Sequence, residues 1–408
     1  MVTDITVPVK KTRWGTAMKQ AVILAAGEGT RLRPFTVNKP KVMLSVAGKP
    51  ILSYVIEALV KNGIRNIILI VGYRKEQVYN YFGSGADFGA DIVYVTQEKQ
   101  VGTAHALAQA RLVTGDEFLV LPGDNLISAE TIAEFTDVKP EAILVKKTDN
   151  PGRYGMITAE NSLVKDIEEK PRDARSSIVS TGIYAFRKEV FTFIQNDLDI
   201  PDVINHMIVQ DYPIKTIKTE GTWLDVVYPW DLLSLNDSIL SQLPHKLAGT
   251  VESGATIKPP VSIGKNTIIR SGSFITGPVV IGNNCDIGPH VSIQPATSIG
   301  DNVSISPLCH IRNSVISNDV SIGPGCIIQD SVIDRGSDIT GRFTAISGTA
   351  DIKVDDEYHQ VNIGAMLGED CTLGAGVVAQ PGVIVGNLCR IQALKLINGR
   401  LPDKSLVF

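Results

Sequence analysis

Apolar and polar positions change rhythm once along this chain. In the first half, short apolar runs alternate with longer amphipathic stretches. Ala21-Val22-Ile23-Leu24-Ala25 predicts a buried strand, and Leu52, Val55, Ile56, Leu59 and Val60 fall at helical spacing over residues 51–61. Asn66 to Val71 predicts a second strand, Lys75 to Phe82 a helix, and Asp91 to Val95 a strand. Thr103 to Val113 reads as an alanine-rich helix and Glu117 to Leu121 as another strand. Strand and helix in alternation give an α/β domain with a mostly parallel, doubly wound sheet. Such sheets bind ligands at the carboxyl ends of their strands, so the loops there are where chemistry is to be sought.

The second half keeps a different period. From Ile257 to Ile311 an isoleucine recurs every six residues, the phase slips, and it resumes at Ile322 and Ile328. It returns at Leu367, Leu373, Ala379, Val385 and Ile391. Glycine often follows the aliphatic residue, and a small residue precedes it by two. Neither a helix nor a hairpin sheet has this period. A solenoid does: each hexad is one short strand plus a turn, and stacked coils share an aliphatic column. All five cysteines, Cys285, Cys309, Cys326, Cys371 and Cys389, fall in the small inward slot two residues before an aliphatic one, which makes them packing residues. Residues 335–362 interrupt the hexads and predict a loop beside the solenoid.

These rhythms divide the chain into a disordered polar extension (1–17), an α/β domain (18–240) closed by a helix over Tyr228–Leu240, a linker (241–254) and a repeat domain (255–408). The total of 408 residues agrees, being too long for one ordinary core. With 44% hydrophobic and 20% charged residues the chain is not largely disordered. A net charge of -4 without a basic stripe argues against a nucleic-acid partner. No apolar run is long enough to span a bilayer, and the N-terminus lacks an apolar signal core, so no membrane partner and a cytoplasmic setting are expected. Met18 is an alternative start.

The first strand ends in Ala25-Ala26-Gly27-Glu28-Gly29-Thr30-Arg31-Leu32-Arg33-Pro34. A glycine-rich turn in this place lets backbone N–H groups approach phosphate oxygens. It is not a Walker loop, because no G-K-[ST] follows. Nor is it a dinucleotide fingerprint, because Leu32 stands where the third glycine would be and Val71-Gly72-Tyr73-Arg74 lacks a ribose-binding acid.

The run from Leu24 through Arg31 to Lys39-Pro40-Lys41-Val42-Met43-Leu44 resembles the signature of the sugar-1-phosphate nucleotidylyltransferases, and the hexads resemble the hexapeptide-repeat family. Together they imply a Rossmann-like nucleotidyltransferase domain followed by a left-handed parallel β-helix, a fold whose members are usually trimers. The first resemblance implies transfer from a nucleoside triphosphate (NTP) to a sugar 1-phosphate with release of pyrophosphate. It carries roles onto matching residues. Leu24, Ala26, Gly27, Gly29 and Thr30 would bind nucleotide with Gln97, Gly102 and Thr103, the segment that reads the base. Arg31 and Lys41 would be catalytic. Asp124 and Asp225 would hold Mg2+, and Gly155, Glu169, Lys170 and Thr181 would meet the sugar phosphate. Gln97 with Gly102-Thr103 favours UTP or dTTP over GTP. Ser180 in place of the asparagine of N-acetylglucosamine-specific relatives leans toward glucose 1-phosphate.

The domain pair also resembles the bifunctional enzyme of UDP-N-acetylglucosamine synthesis, whose β-helix acetylates glucosamine 1-phosphate with acetyl-CoA. His310 is the candidate base, its side chain outward because Ile311 is inward. Arg312-Asn313-Ser314 after it departs from that family's pattern, whereas Asp355-Asp356 and Asn362-Ile363-Gly364-Ala365 keep it. Non-catalytic regulatory subunits share the same fold, but a scaffold has no need of Arg31, Lys41, Asp124 and Asp225. His105 reads as a packing residue of its helix.

Overall fold

The computed structural model describes residues 19–171, 176–195 and 197–408. The extension 1–17 lies outside them. The first domain is built on a nine-stranded sheet. Its first half is parallel, in the order Asp91–Thr96, Asn66–Val71, Gln20–Ala25, Glu117–Pro122. The long strand Ile178–Arg187 then runs antiparallel to Glu117–Pro122, and the outer strands mix directions. Doubly wound character therefore belongs to the half that contains the first strand. Buried Ala21, Ile23, Leu69 and Leu121 fill one layer beneath the sheet, and Val22, Ile68, Ile70 and Val120 fill the other. Both faces are covered, which explains why these strands read as continuous apolar runs rather than alternating ones.

Two helices differ from expectation. The alanine-rich helix spans Thr103–Gln109 only, and the closing helix spans Asp231–Leu240. Pro229 disfavours helical backbone at Tyr228. The Asp231 carboxylate then accepts from the Val227 and Tyr228 N–H groups at 2.8 and 2.9 Å, fixing residues 227–230 as a loop.

The second domain is a three-sided prism of stacked parallel strands. Three hexads complete one coil, so the isoleucine repeat builds three columns, one per face: Ile263 over Ile281 over Ile299, Ile269 over Ile287 over Ile305, and Ile275 over Ile293 over Ile311. The phase slip is a turn one residue short. Ile316 takes the place above Ile299, and Ile333, Ile339 and Ala345 continue the columns. The cysteines are buried and free. Several donate Sγ–H to a carbonyl of the next coil, as Cys285 does to Gly300 at 3.1 Å and Cys371 to Gly386 at 3.1 Å.

Two expected boundaries change. Lys246–Leu247 and Thr250–Val251, within the expected linker, already pair as strands of the first coil. The expected loop over 335–362 continues the coils through Ala345 and then becomes a hairpin, Gly348–Val354 against Glu357–Ile363.

Each face of the prism has its own surroundings. One presents Val315, Val332, Met366 and Ile384, which join Leu32, Phe35, Leu44, Val226 and Leu232 in a single buried cluster with Ile352 and Val354 of the hairpin. The two domains thus share a core. The second face is polar, with Asp286, Ser304, Ser321 and Asp338 outward. The third carries His310.

Candidate active site

The floor of the site is where three strands end side by side. Gly123 donates its N–H to the Leu24 carbonyl at 2.9 Å, and Tyr73 donates to the Ala26 carbonyl at 3.2 Å. The chain then turns through Gly27, Glu28 and Gly29 into a short helical turn, Thr30–Leu32. Gly29 has φ 73°, a region L side chains rarely adopt, and a Cβ there would lie 2.9 Å from Lys41 Cβ. The Arg31 turn and the Lys41 loop therefore pack against each other because residue 29 has no side chain. At Gly27 a Cβ would meet nothing within 4 Å, so its bareness leaves open approach rather than relieving a clash.

Lys41 is the hub. Its ammonium lies 2.5 Å from Asp124 and 3.8 Å from Asp225. Burial alone would lower its pKa, but the two carboxylates outweigh burial and raise it. Asp225 is also raised: burial is the larger cause, opposed by Lys41. Asp225 arrives on Trp223–Asp225, paired antiparallel with Asn125–Ile127, so that Asp225 stands opposite Asn125. Oriented to satisfy its neighbours, the Asn125 amide donates to Asp124 at 3.0 Å and to Asp225 at 3.2 Å, and accepts from the Trp223 indole at 3.0 Å. Two acids within reach of one cation, with no third acid, cysteine or histidine grouped with them among the described residues, match magnesium. That ion takes one or two carboxylates and leaves its other positions to phosphate and water.

Gln97 is buried, and its side-chain nitrogen meets the Gly102 carbonyl at 3.0 Å and His105 Nδ1 at 2.9 Å. His105 thus orients the Gln97 amide as well as packing in its helix. The Thr103 hydroxyl is held by Asp199 at 3.0 Å and accepts from Ile200 N–H at 2.9 Å, so its side chain ties two helices together.

Gly155 stands opposite Glu169 in the sheet register, and a Cβ there would lie 3.0 Å from a Glu169 oxygen. Lys170 reaches Glu169 at 3.6 Å, both half exposed. Thr181 has its side chain engaged within the sheet. Its hydroxyl is buried and donates to the Leu144 carbonyl at 2.7 Å, leaving only its backbone for a sugar phosphate. Arg31 holds a partner that sequence spacing could not suggest, Asp355 of the prism's hairpin, at 2.8 Å.

On the prism His310 faces outward beside buried Ile311. A cavity of about 470 Å³ opens nearby, lined by Arg312, Asn313, Asp330, Ser347, Asn362 and Pro295, but His310 is outside its lining. Arg312 pairs with Asp330 at 3.1 Å there.

Of the residues that brace this candidate site, Asn125 escaped sequence reasoning, whereas His105 was read only as packing and Asp355 only as part of a family motif. Asn125 follows Asp124 in what reads as an ordinary turn, and only its register opposite Asp225 shows its use.

Comparison with known proteins bears on both domains. A family model described as nucleotidyl transferase matches residues 20–242, one described as GMPPB C-terminal domain matches 275–359, and one for the hexapeptide repeat of succinyl-transferase matches 363–393, which makes the prism a left-handed β-helix. The bifunctional protein GlmU of Methanocaldococcus jannaschii is 34% identical, with 95% of this chain and 97% of that protein covered. A glucose-1-phosphate thymidylyltransferase of Streptomyces antibioticus is 33% identical over 60% of this chain and 73% of that protein. A crystal structure of a putative glucose-1-phosphate thymidylyltransferase from Bacillus anthracis superposes with a TM-score of 0.51 at 29% identity, covering 56% of this chain and 97% of that one. The family match over residues 20–242 and the full-length likeness agree: this chain belongs to the nucleotidyl transferase family, in the two-domain group that includes the archaeal GlmU proteins.

Proposed function

We propose that the first domain transfers a nucleotidyl group from UTP or dTTP to glucose 1-phosphate or N-acetylglucosamine 1-phosphate. The observation that carries this reading is the convergence of Asp124 and Asp225 on Lys41 beside the bare turn at Gly27 and Gly29. A sugar-phosphate oxygen forms a bond to the α-phosphorus while the bond to the pyrophosphate oxygen breaks. The nucleophile is already an anion, so no strong base is needed. The barrier is anionic repulsion and charge growing on the leaving group, which positioned cations and N–H donors reduce. The loop N–H groups and Arg31 hold the β- and γ-phosphates. Lys41, now shared by the two acids, is the cation nearest the α-phosphate. Lys170 and Glu169 take the sugar phosphate and a sugar hydroxyl. Asp124 and Asp225 would hold Mg2+, which supplies charge neutralisation along the triphosphate. Gln97 accepts from the ring N–H of uracil or thymine, since its nitrogen is spent on Gly102 and His105.

The test is pyrophosphate release from each NTP paired with glucose, N-acetylglucosamine and mannose 1-phosphates. UTP or dTTP with one of the first two sugars is expected to be fastest, and no release with any pair would refute the reading.

A second activity, acetyl transfer from acetyl-CoA to glucosamine 1-phosphate with His310 as base, is supported by the full-length likeness to proteins named bifunctional. Free thiol released from acetyl-CoA by the protein, and lost in His310→Ala, is the expected result. Outward Ile346, Val378 and Leu396, all exposed on the third face of the prism, support self-association through that face, as a trimer or a multiple of one. No helix among the described residues is long and apolar enough to cross a membrane, and five free cysteines suit a reducing cytoplasm.

A further inference from the structure

The hairpin Gly348–Val354/Glu357–Ile363 joins the prism to the nucleotide site. Its strands are paired throughout, and Val354 opposite Glu357 leaves a two-residue turn, Asp355-Asp356. Asp355 has φ 54°, as the tight turns of twisted hairpins require. The apolar side of the hairpin is anchored: Ile352, Val354 and Ile363 are buried in the core that also holds Leu32 and Phe35 of the phosphate loop. On the second strand the His359 ring lies 4.4 Å from that of Tyr228, three residues beyond Asp225. The position of the tip is therefore fixed by packing on both sides of the nucleotide loop.

That tip is acidic. Asp355 Oδ2 accepts from Arg31 Nε at 2.8 Å, Glu357 adds its field at the same guanidinium, and Asp356 is fully exposed, 3.7 Å from Lys353. A carboxylate and a phosphate oxygen compete for the same guanidinium fork. We propose that Asp355 sets the affinity of the nucleotidyltransferase site for its triphosphate: the hairpin carboxylate occupies Arg31 in the empty enzyme, and nucleotide binds by displacing it. This rests on the reading of Arg31 as a triphosphate ligand. Both side chains are about half exposed, so the contact tunes affinity and does not lock the site.

The test uses the full-length protein and the nucleotide, UTP or dTTP, that the substrate panel selects. The nucleotide KM and kcat are measured at saturating sugar phosphate for Asp355→Asn, Asp356→Asn, Arg31→Gln and the Arg31→Gln/Asp355→Asn double variant. Asparagine tolerates the positive φ of residue 355, so the turn is kept. Asp355→Asn is expected to lower the nucleotide KM roughly two- to fivefold, the range of a half-exposed ion pair. It should have no effect once Arg31 is gone. Asp356→Asn removes the same charge without touching Arg31 and should leave KM unchanged. An unchanged or higher KM in Asp355→Asn, alongside an impaired Arg31→Gln, overturns the proposal and leaves the role of Arg31 standing. An equal fall in both aspartate variants also overturns it, since general charge would then be the cause. Wild-type KM and kcat in Arg31→Gln overturn the reading of Arg31 and the proposal together.

Discussion

The Lys39 ammonium lies 2.9 Å from the Asp334 carboxylate, one residue from each domain, and neither is more than one-sixth exposed. Glu369 completes the cluster at 2.9 Å from the same nitrogen and also accepts from Asn38 at 2.9 Å. Two residues further along the chain Lys41 enters the active site. The prism thus grips the Lys39–Lys41 loop from behind.

Removing Lys39 should loosen that grip. Lys39→Met leaves two largely buried carboxylates without a counter-charge, which costs about 3 kcal/mol. The expected outcome is a lower unfolding midpoint in denaturant with both domains still folded. An unchanged midpoint would show that the cluster contributes nothing to docking.

The same cluster gives a pH dependence whose sign can be worked out. Burial alone would raise the Glu369 pKa, but Lys39 outweighs burial and holds it below the usual carboxylate range. A depressed folded pKa gives stability that is complete above the unfolded value, about 4.3, and is lost as pH falls through the folded one. Thermal stability should therefore decline below about pH 4, and Glu369→Gln should flatten that decline.

Asn125 predicts a metal effect without itself being a ligand. Its amide braces both Asp124 and Asp225. Partners that orient metal ligands typically matter by about 10–100-fold in metal affinity. Asn125→Ala should raise the magnesium concentration for half-maximal rate by that order, with activity recovered at high magnesium. A wild-type titration would remove Asn125 from the site.

How much of this was legible in the sequence depends on whether the cause was local. Ile263, Ile281 and Ile299 could be read as inward positions from the period of six, but that three hexads make one coil and give three columns rather than one emerges only in the fold. The Gly29, Arg31 and Lys41 segment was visible because these residues sit close together in the chain. The core shared by Phe35, Val332 and Ile352 left no such trace, since nothing periodic marks a residue as facing another domain. Arg31 and Asp355 are 324 residues apart, a pairing that only the docked fold creates. The hairpin did leave a signal: Ala350, Ile352 and Val354 alternate with Asp351 and Lys353, the period of a strand. It was obscured by the interruption of a much stronger repeat.

The contact of His105 with Gln97 separates base recognition from catalysis. The imidazole holds the amide nitrogen at 2.9 Å and touches no group assigned to the phosphates. Replacing it by leucine keeps a packing side chain in the helix but frees the amide to rotate. One lost hydrogen bond is worth about 1 kcal/mol, so the nucleotide KM should rise about fivefold. The kcat should change little, because Arg31, Lys41 and the acids are untouched. Rotation would also let the amide offer a donor where it now offers an acceptor, so preference for uracil or thymine over cytosine should weaken in the same variant. Competition between UTP and CTP in His105→Leu checks both effects. A fall in kcat with base preference intact would assign His105 to the catalytic machinery instead.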